Sequence, residues 1–127
     1  MKKIIVSSNA PAPVGPYNQA VVHNYTLYAS GQIAIDPKTG KMVTESIEAE
    51  THQVMKNIKA ILSEAGLTFK DVLKCTIFIS DMENYGKING IYAQYFDEAT
   101  APARELVEVA RLPKDVNIEI SVIAAFG

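Results

Sequence analysis

The sequence predicts an α+β domain with both helices on one face of a sheet. Three observations carry that expectation. Apolar periodicities follow the order strands, helix, strand, helix, strands along the 127 residues. That length suits one domain, residues 1–127, with enough buried surface for a core without staples. The only Pro/Gly-dense stretch, Ala10 to Pro16, lies near the amino end, where it makes an ordered arm rather than an interdomain linker.

Ala20 to His23 and Thr26 to Ser30 flank Asn24-Tyr25 and are expected to form a hairpin. Asp36-Pro37-Lys38-Thr39-Gly40 is a turn signal. Ser46 to Ala65 is the first helix, because Ile47, Val54, Ile58, Ile61 and Ala65 fall on one stripe. Thr44 or Ser46 caps its start, Glu48 and Glu50 suit the positive end of its dipole, and Gly66 suits a left-handed end. Val72 to Ser80 is a strand in which Leu73, Cys75, Ile77 and Ile79 alternate with Lys74, Thr76, Phe78 and Ser80. Asp81 caps a second helix expected over Met82 to Glu98, with Tyr85, Ile88, Tyr92, Tyr95, Phe96 and Ala99 as its stripe. Gly86 and Gly90 inside it each cost about 1 kcal/mol against alanine, which points to a neighbour packed closely on that face. Pro102 stops the helix, and Arg104 to Val109 and Val116 to Ala125 are the closing strands.

The last strand says more. Val116, Ile118, Ile120, Val122 and Ala124 make an apolar face, while Asn117, Glu119, Ser121, Ile123 and Ala125 begin polar and turn apolar. A wholly solvated face has no need of Ile123 and Ala125, so that side is expected to be a subunit interface.

Composition excludes other classes. Twelve basic residues against fourteen acidic give a net charge of −2, without the basic excess of a nucleic-acid binder. The single Cys75 rules out an internal disulfide and a cysteine metal cluster. No Walker loop, dinucleotide fingerprint or zinc motif is present, so neither a metal nor a cofactor is expected. The apolar run Ile4-Ile5-Val6 is too short for a signal core and no stretch reaches a membrane span, so a cytoplasmic protein is expected.

Candidate chemistry rests on few residues. In Gly15-Pro16-Tyr17, pattern alone favours a core-packed tyrosine, and the functional reading is a phenol at the rim of a pocket. Ser30-Gly31-Gln32 ends a strand without a nucleophile elbow, leaving a bulge with a solvated serine or a donor beside exposed backbone. Asn89 sits one turn after Tyr85 on the second helix, where most asparagines are simply exposed. Arg104 is one of only two arginines in a lysine-rich chain, and a rigid fork suits carboxylate or phosphate; an ion pair is the simpler reading. Arg111 is expected to clamp carbonyls or Glu108. Glu119 is an outward polar residue unless its face is an interface, where burial raises its pKa and suits a general base. His52 with Glu48 four residues earlier is expected to be a solvated pair.

These segments resemble the RidA (YjgF-type) reactive-intermediate deaminases. The resemblance runs from Ala10–Tyr17 through Ser30-Gly31-Gln32-Ile33, Asn57–Leu62, Thr76–Ile79, Ile88-Asn89 with Tyr92, and Pro102-Ala103-Arg104 to Val107–Asp115 and Ile118-Glu119-Ile120. It implies a chorismate-mutase-like (Bacillus type) mixed sheet with two helices on one face, assembling as a homotrimer with clefts between subunits. It implies cofactor-free hydrolysis of small enamine/imine acids such as 2-aminoacrylate or 2-aminocrotonate. Arg104 would bind the carboxylate and Glu119 would activate water, while Tyr17, Ser30, Gly31 and Asn89 would line the pocket. Leu106 stands where many members have cysteine and would narrow that pocket. A small-carboxylate-binding regulator and an RNA-cleaving protein are the competing classes.

Overall fold

A computed structural model describes residues 1–127. Six strands form one mixed sheet in the order β1-β2-β3-β6-β4-β5. They are β1 (Lys3–Ile5), β2 (Ala20–His23), β3 (Thr26–Ala29), β4 (Val72–Ile79), β5 (Ala103–Glu108) and β6 (Ile118–Ala125), with helices α1 (Ile47–Glu64) and α2 (Tyr85–Tyr92). Only the β4–β5 pair is parallel. Both helices share one core with the sheet: Val54, Ile58 and Ile61 of α1 and Ile88 and Tyr92 of α2 meet Cys75, Ile77, Ile118 and Ile120. The α+β expectation therefore holds, and no helix packs on the other sheet face.

Local chemistry explains most boundaries. The β2–β3 hairpin turns through Asn24 and Tyr25, both left-handed at φ 48° and 63°, as a two-residue hairpin requires. Ser46 caps α1 by accepting from the Ala49 amide at 3.0 Å. Gly66 follows α1 at φ 78°, a conformation that disfavours a side chain, and the Leu67 amide returns to the Leu62 carbonyl. Glu50 does more than face the dipole. It is fully buried, and its carboxylate accepts from the backbone and side-chain amides of Asn117, each at 2.8 Å, which fixes the chain entering β6.

Three expectations need correction, and one strand was not anticipated. Lys3–Ile5 is an edge strand that a three-residue segment with only Ile5 buried does not announce. Leu73 is 54% exposed, because a bulge between Val72 and Lys74 shifts the pattern, so Val72 and Cys75 face the core. The second helix is shorter than Met82–Glu98. Asp81 caps a 3₁₀ turn at Met82–Asn84, α2 ends at Tyr92, and Phe96 is extended at φ −133°. Its two glycines oppose continuation, and the aromatic side chains beyond it pack against one another: Phe69 meets Tyr95 and Phe96 edge-on at 5.4 Å. No close neighbour explains Gly86 or Gly90, since a Cβ at either meets nothing within 4 Å in this chain.

Two smaller expectations also change. His52 is not paired with Glu48; its Nδ1 lies 2.7 Å from the Tyr95 hydroxyl. Arg111 clamps neither carbonyls nor Glu108 but Asp115, through Nε and Nη2, while Glu108 accepts from the Met82 amide at 2.6 Å. No helix is long and apolar enough to cross a membrane.

Candidate active site

The candidate residues fall into two groups. Arg104 lies on β5 opposite Cys75 of β4, which is buried under the helices. Directly paired residues share a sheet face, so Arg104 points to the helical side. There Nη1 donates to Asn89 Oδ1 at 2.6 Å and Nη2 to the Tyr85 hydroxyl at 3.1 Å. The guanidinium carbon stands 5.1 Å from the Tyr92 ring centroid, a cation–π distance. All of these partners are neutral, and no carboxylate pairs with Arg104. Two of its five donor hydrogens are engaged and the rest of the fork is free. It lines an open depression of about 540 Å³ with Asn89, Tyr92, Ala93, Phe96, Glu98 and Ala101, and Glu98 makes no salt bridge to it. Leu106 is half-buried against the core, two residues along the same strand face. Glu105 points the other way and pairs with Lys74.

The second group surrounds Glu119. Ile118 and Ile120 on either side are buried under the helices, so Glu119 faces the helix-free side of the sheet. Gln32 and Ile120 exchange backbone hydrogen bonds at 2.8 and 3.1 Å, which lays Gly31 against Glu119. A Cβ on Gly31 would stand 2.7 Å from the Glu119 carboxyl carbon, so only glycine allows this approach. Glu119, Gly31, Tyr17, Lys114 and the Pro11–Ala12 segment line a cavity of about 110 Å³. Desolvation raises the Glu119 carboxyl above the ordinary glutamate range. Tyr17 is 48% exposed, not core-packed, and its hydroxyl oxygen accepts from the Val14 amide at 3.4 Å. Ser30 stands beside the cavity, where its hydroxyl donates to the Asn18 carbonyl at 2.7 Å.

Sequence reasoning missed three participants. Tyr85 and Tyr92 flank Arg104, and helical spacing alone assigns them to a core stripe. The Tyr92 hydroxyl is buried beside the Cys75 thiol with no oxygen or nitrogen partner, and burial, then the thiol, push its phenol well above the ordinary tyrosine range. Lys114 lines the Glu119 cavity from a turn where it and Asp115 are both left-handed, at φ 56° and 55°. No three His, Cys, Asp or Glu side chains converge as a metal site would require.

The two groups cannot reach one small molecule within this chain. Arg104 and Glu119 lie on opposite sheet faces, two strands apart and three residues along, or roughly 14 Å by strand spacing.

Residues 7–126 match the family model described as Endoribonuclease L-PSP. The chain belongs to that family, the RidA/YjgF family. It is 54% identical over 123 residues to a RutC family protein of Synechocystis, covering 96% of this chain and 95% of that one. It is 48% identical over 126 residues to the 2-iminobutanoate/2-iminopropanoate deaminase of Salmonella typhimurium, covering 98% of each. A crystal structure of YyfA, a conserved Rid-family protein of Yersinia pestis, superposes with a TM-score of 0.96 at 49% identity, covering 99% of this chain and 100% of that one.

Proposed function

We propose that the protein hydrolyses small 2-enamino and 2-imino acids to 2-keto acids and ammonia, in a homotrimer whose sites lie between subunits in the cytoplasm. The observation that carries this reading is Arg104: a half-buried guanidinium hydrogen-bonded only to neutral groups and in no salt bridge, facing an open depression whose rim also carries Glu98. That is a preset fork for a carboxylate. Its separation from Glu119 supports assembly, since a neighbouring copy brings its helix-free sheet face and Glu119 to the first copy's Arg104.

The chemistry follows from the groups. The enamine tautomerises to its imine, and Arg104 fixes the carboxylate. Glu119, desolvated and basic enough to accept a proton, deprotonates water as its oxygen adds to the imine carbon. That proton passes to nitrogen and gives a carbinolamine; its hydroxyl proton then moves to nitrogen by way of Glu119, the carbon–oxygen double bond forms as the carbon–nitrogen bond breaks, and ammonia leaves behind a 2-keto acid. General-base assistance of this kind contributes about 10²–10⁴-fold. Asn89 and Tyr85 keep the fork from rotating, Tyr17 and Gly31 line the Glu119 cavity, and Ser30 and Leu106 stand next to lining residues without lining either cavity.

A dehydratase-coupled assay tests the reading. Wild-type protein is expected to release ammonia from 2-aminoacrylate, and Arg104→Ala is expected to lose that activity while remaining assembled. Full activity in Arg104→Ala refutes it. Saturable 2-ketobutyrate binding without ammonia release would make the protein a carboxylate-binding regulator. RNA cleavage that persists in Arg104→Ala would favour the nuclease class.

A further inference from the structure

The segment joining β1 to β2 carries no helix or strand. Pro11, Pro13 and Pro16 have no amide hydrogen to offer. From Ala12 to Tyr17 its hydrogen bonds are local, Tyr17 amide to Gly15 carbonyl at 2.8 Å and Val14 amide to the Tyr17 hydroxyl. None joins that stretch to the sheet. Yet Pro11, Ala12, Val14 and Tyr17 wall the cavity that holds Glu119.

One side chain fastens the arm. Gln19 is 3% exposed and lies at the cavity's base. Its Oε1 accepts from the Ser7 amide at 2.6 Å. Its Nε2 donates to the carbonyls of Ser7, Ala10 and Pro11 at 3.0, 3.2 and 2.9 Å, two hydrogens shared among three acceptors. Its own carbonyl accepts from the Ser30 amide at 2.9 Å, beside the glycine on which Glu119 rests. The buried side-chain amide thus gathers Ser7, Ala10 and Pro11, while the backbone of the same residue holds the strand end carrying Ser30 and Gly31.

We propose that Gln19 is a positioning residue of the candidate active site, holding the proline-rich arm as a wall of the Glu119 cavity. Its catalytic consequence rests on the deaminase reading; its effect on the arm and on Glu119 does not. With the arm in place, water is kept from the carboxylate. Within the chain the other titratable groups facing the cavity are Tyr17 from the arm and Lys114 from the turn before β6, and in the proposed assembly Arg104 of a neighbouring copy faces Glu119 in wild type and variant alike. Release of the arm rehydrates Glu119, and its carboxyl then titrates closer to an ordinary glutamate.

The test uses the full chain carrying Gln19→Met, which keeps the length of the side chain and removes its hydrogen bonds. Glu119 is followed by its ¹³C carboxyl signal, and the arm by backbone order parameters at Ala12, Val14 and Tyr17. The variant is expected to titrate Glu119 at lower pH than wild type. Arm order parameters should fall from the ~0.85 of rigid backbone toward 0.6, with β4 and β6 unchanged. The low-pH limb of kcat/KM should move to lower pH with the carboxyl. Should wild type prove inactive, the deaminase reading falls while the two spectroscopic readouts still decide the role of Gln19. An unchanged Glu119 titration with a rigid arm overturns the proposal, as does loosening spread evenly over the sheet. Gln19→Asn, the same amide on a shorter stem, serves if Gln19→Met does not fold; a wild-type Glu119 titration there also overturns it.

Discussion

Gly31→Ala tests the closest contact of the candidate site. An alanine Cβ would stand 2.7 Å from both the carboxyl carbon and Oε2 of Glu119, where ordinary contact begins at 3.4 Å. The carboxylate must therefore withdraw by about 0.7 Å. Gly31 does not occupy a left-handed conformation, so its backbone accepts alanine. The obstruction is the end of a flexible side chain, so the change falls on Glu119 and not on the fold. A displacement approaching 1 Å costs about a hundredfold in rate, or ~2.7 kcal/mol of barrier. The expected result is kcat/KM for 2-aminoacrylate about a hundredfold below wild type, with the melting temperature within about 5 °C. Wild-type kcat/KM in a folded Gly31→Ala would refute the reasoning, because the acting base would then not rest on Gly31. A collapse in melting temperature would refute it differently, by placing the clash on the backbone.

Three other outcomes follow from the same geometry. Arg104→Lys keeps the charge but loses the fork held by Asn89 and Tyr85, so steady-state kinetics should show about a hundredfold loss of kcat/KM, chiefly in KM. Glu119 has a raised carboxyl pKa, so its charged form destabilises the fold, and that penalty appears as pH rises through its pKa. Urea titrations should therefore show Glu119→Gln more stable than wild type near pH 7, the gap closing below about pH 4, where both forms are neutral. Tyr92→Phe removes a buried hydroxyl whose polar neighbour is the Cys75 thiol, a weak hydrogen-bonding group, and should leave stability within about 1 kcal/mol of wild type in urea unfolding.

Helix α1 was legible because every level agreed: a five-residue apolar stripe, Ser46 at the cap and a left-handed Gly66 at the end. β6 was equally legible from strict alternation. β1 was not, since three residues with one buried side chain carry no period. The end of α2 was hidden because Tyr95 and Phe96 fit the helical stripe, and only their packing with Phe69 breaks it. The candidate residues could be picked out by type and by their neighbours in sequence. Their grouping could not. That Asn89 reaches Arg104, that Glu119 lies on Gly31, and that Gln19 bonds three carbonyls are contacts across the fold that no spacing encodes.

The placement of Arg104 and Glu119 on opposite faces of one sheet has a genetic consequence. Each proposed site draws its carboxylate anchor from one chain and its base from another, so two dead alleles can rescue each other. Arg104→Ala and Glu119→Gln subunits, each inactive alone, should regain activity when unfolded together and refolded. With random mixing, roughly a quarter of the junctions receive both intact residues, and the recovered rate should approach that fraction of wild type. A chain carrying both substitutions poisons both junctions it enters, so it should act as a dominant inhibitor when co-expressed with the wild type.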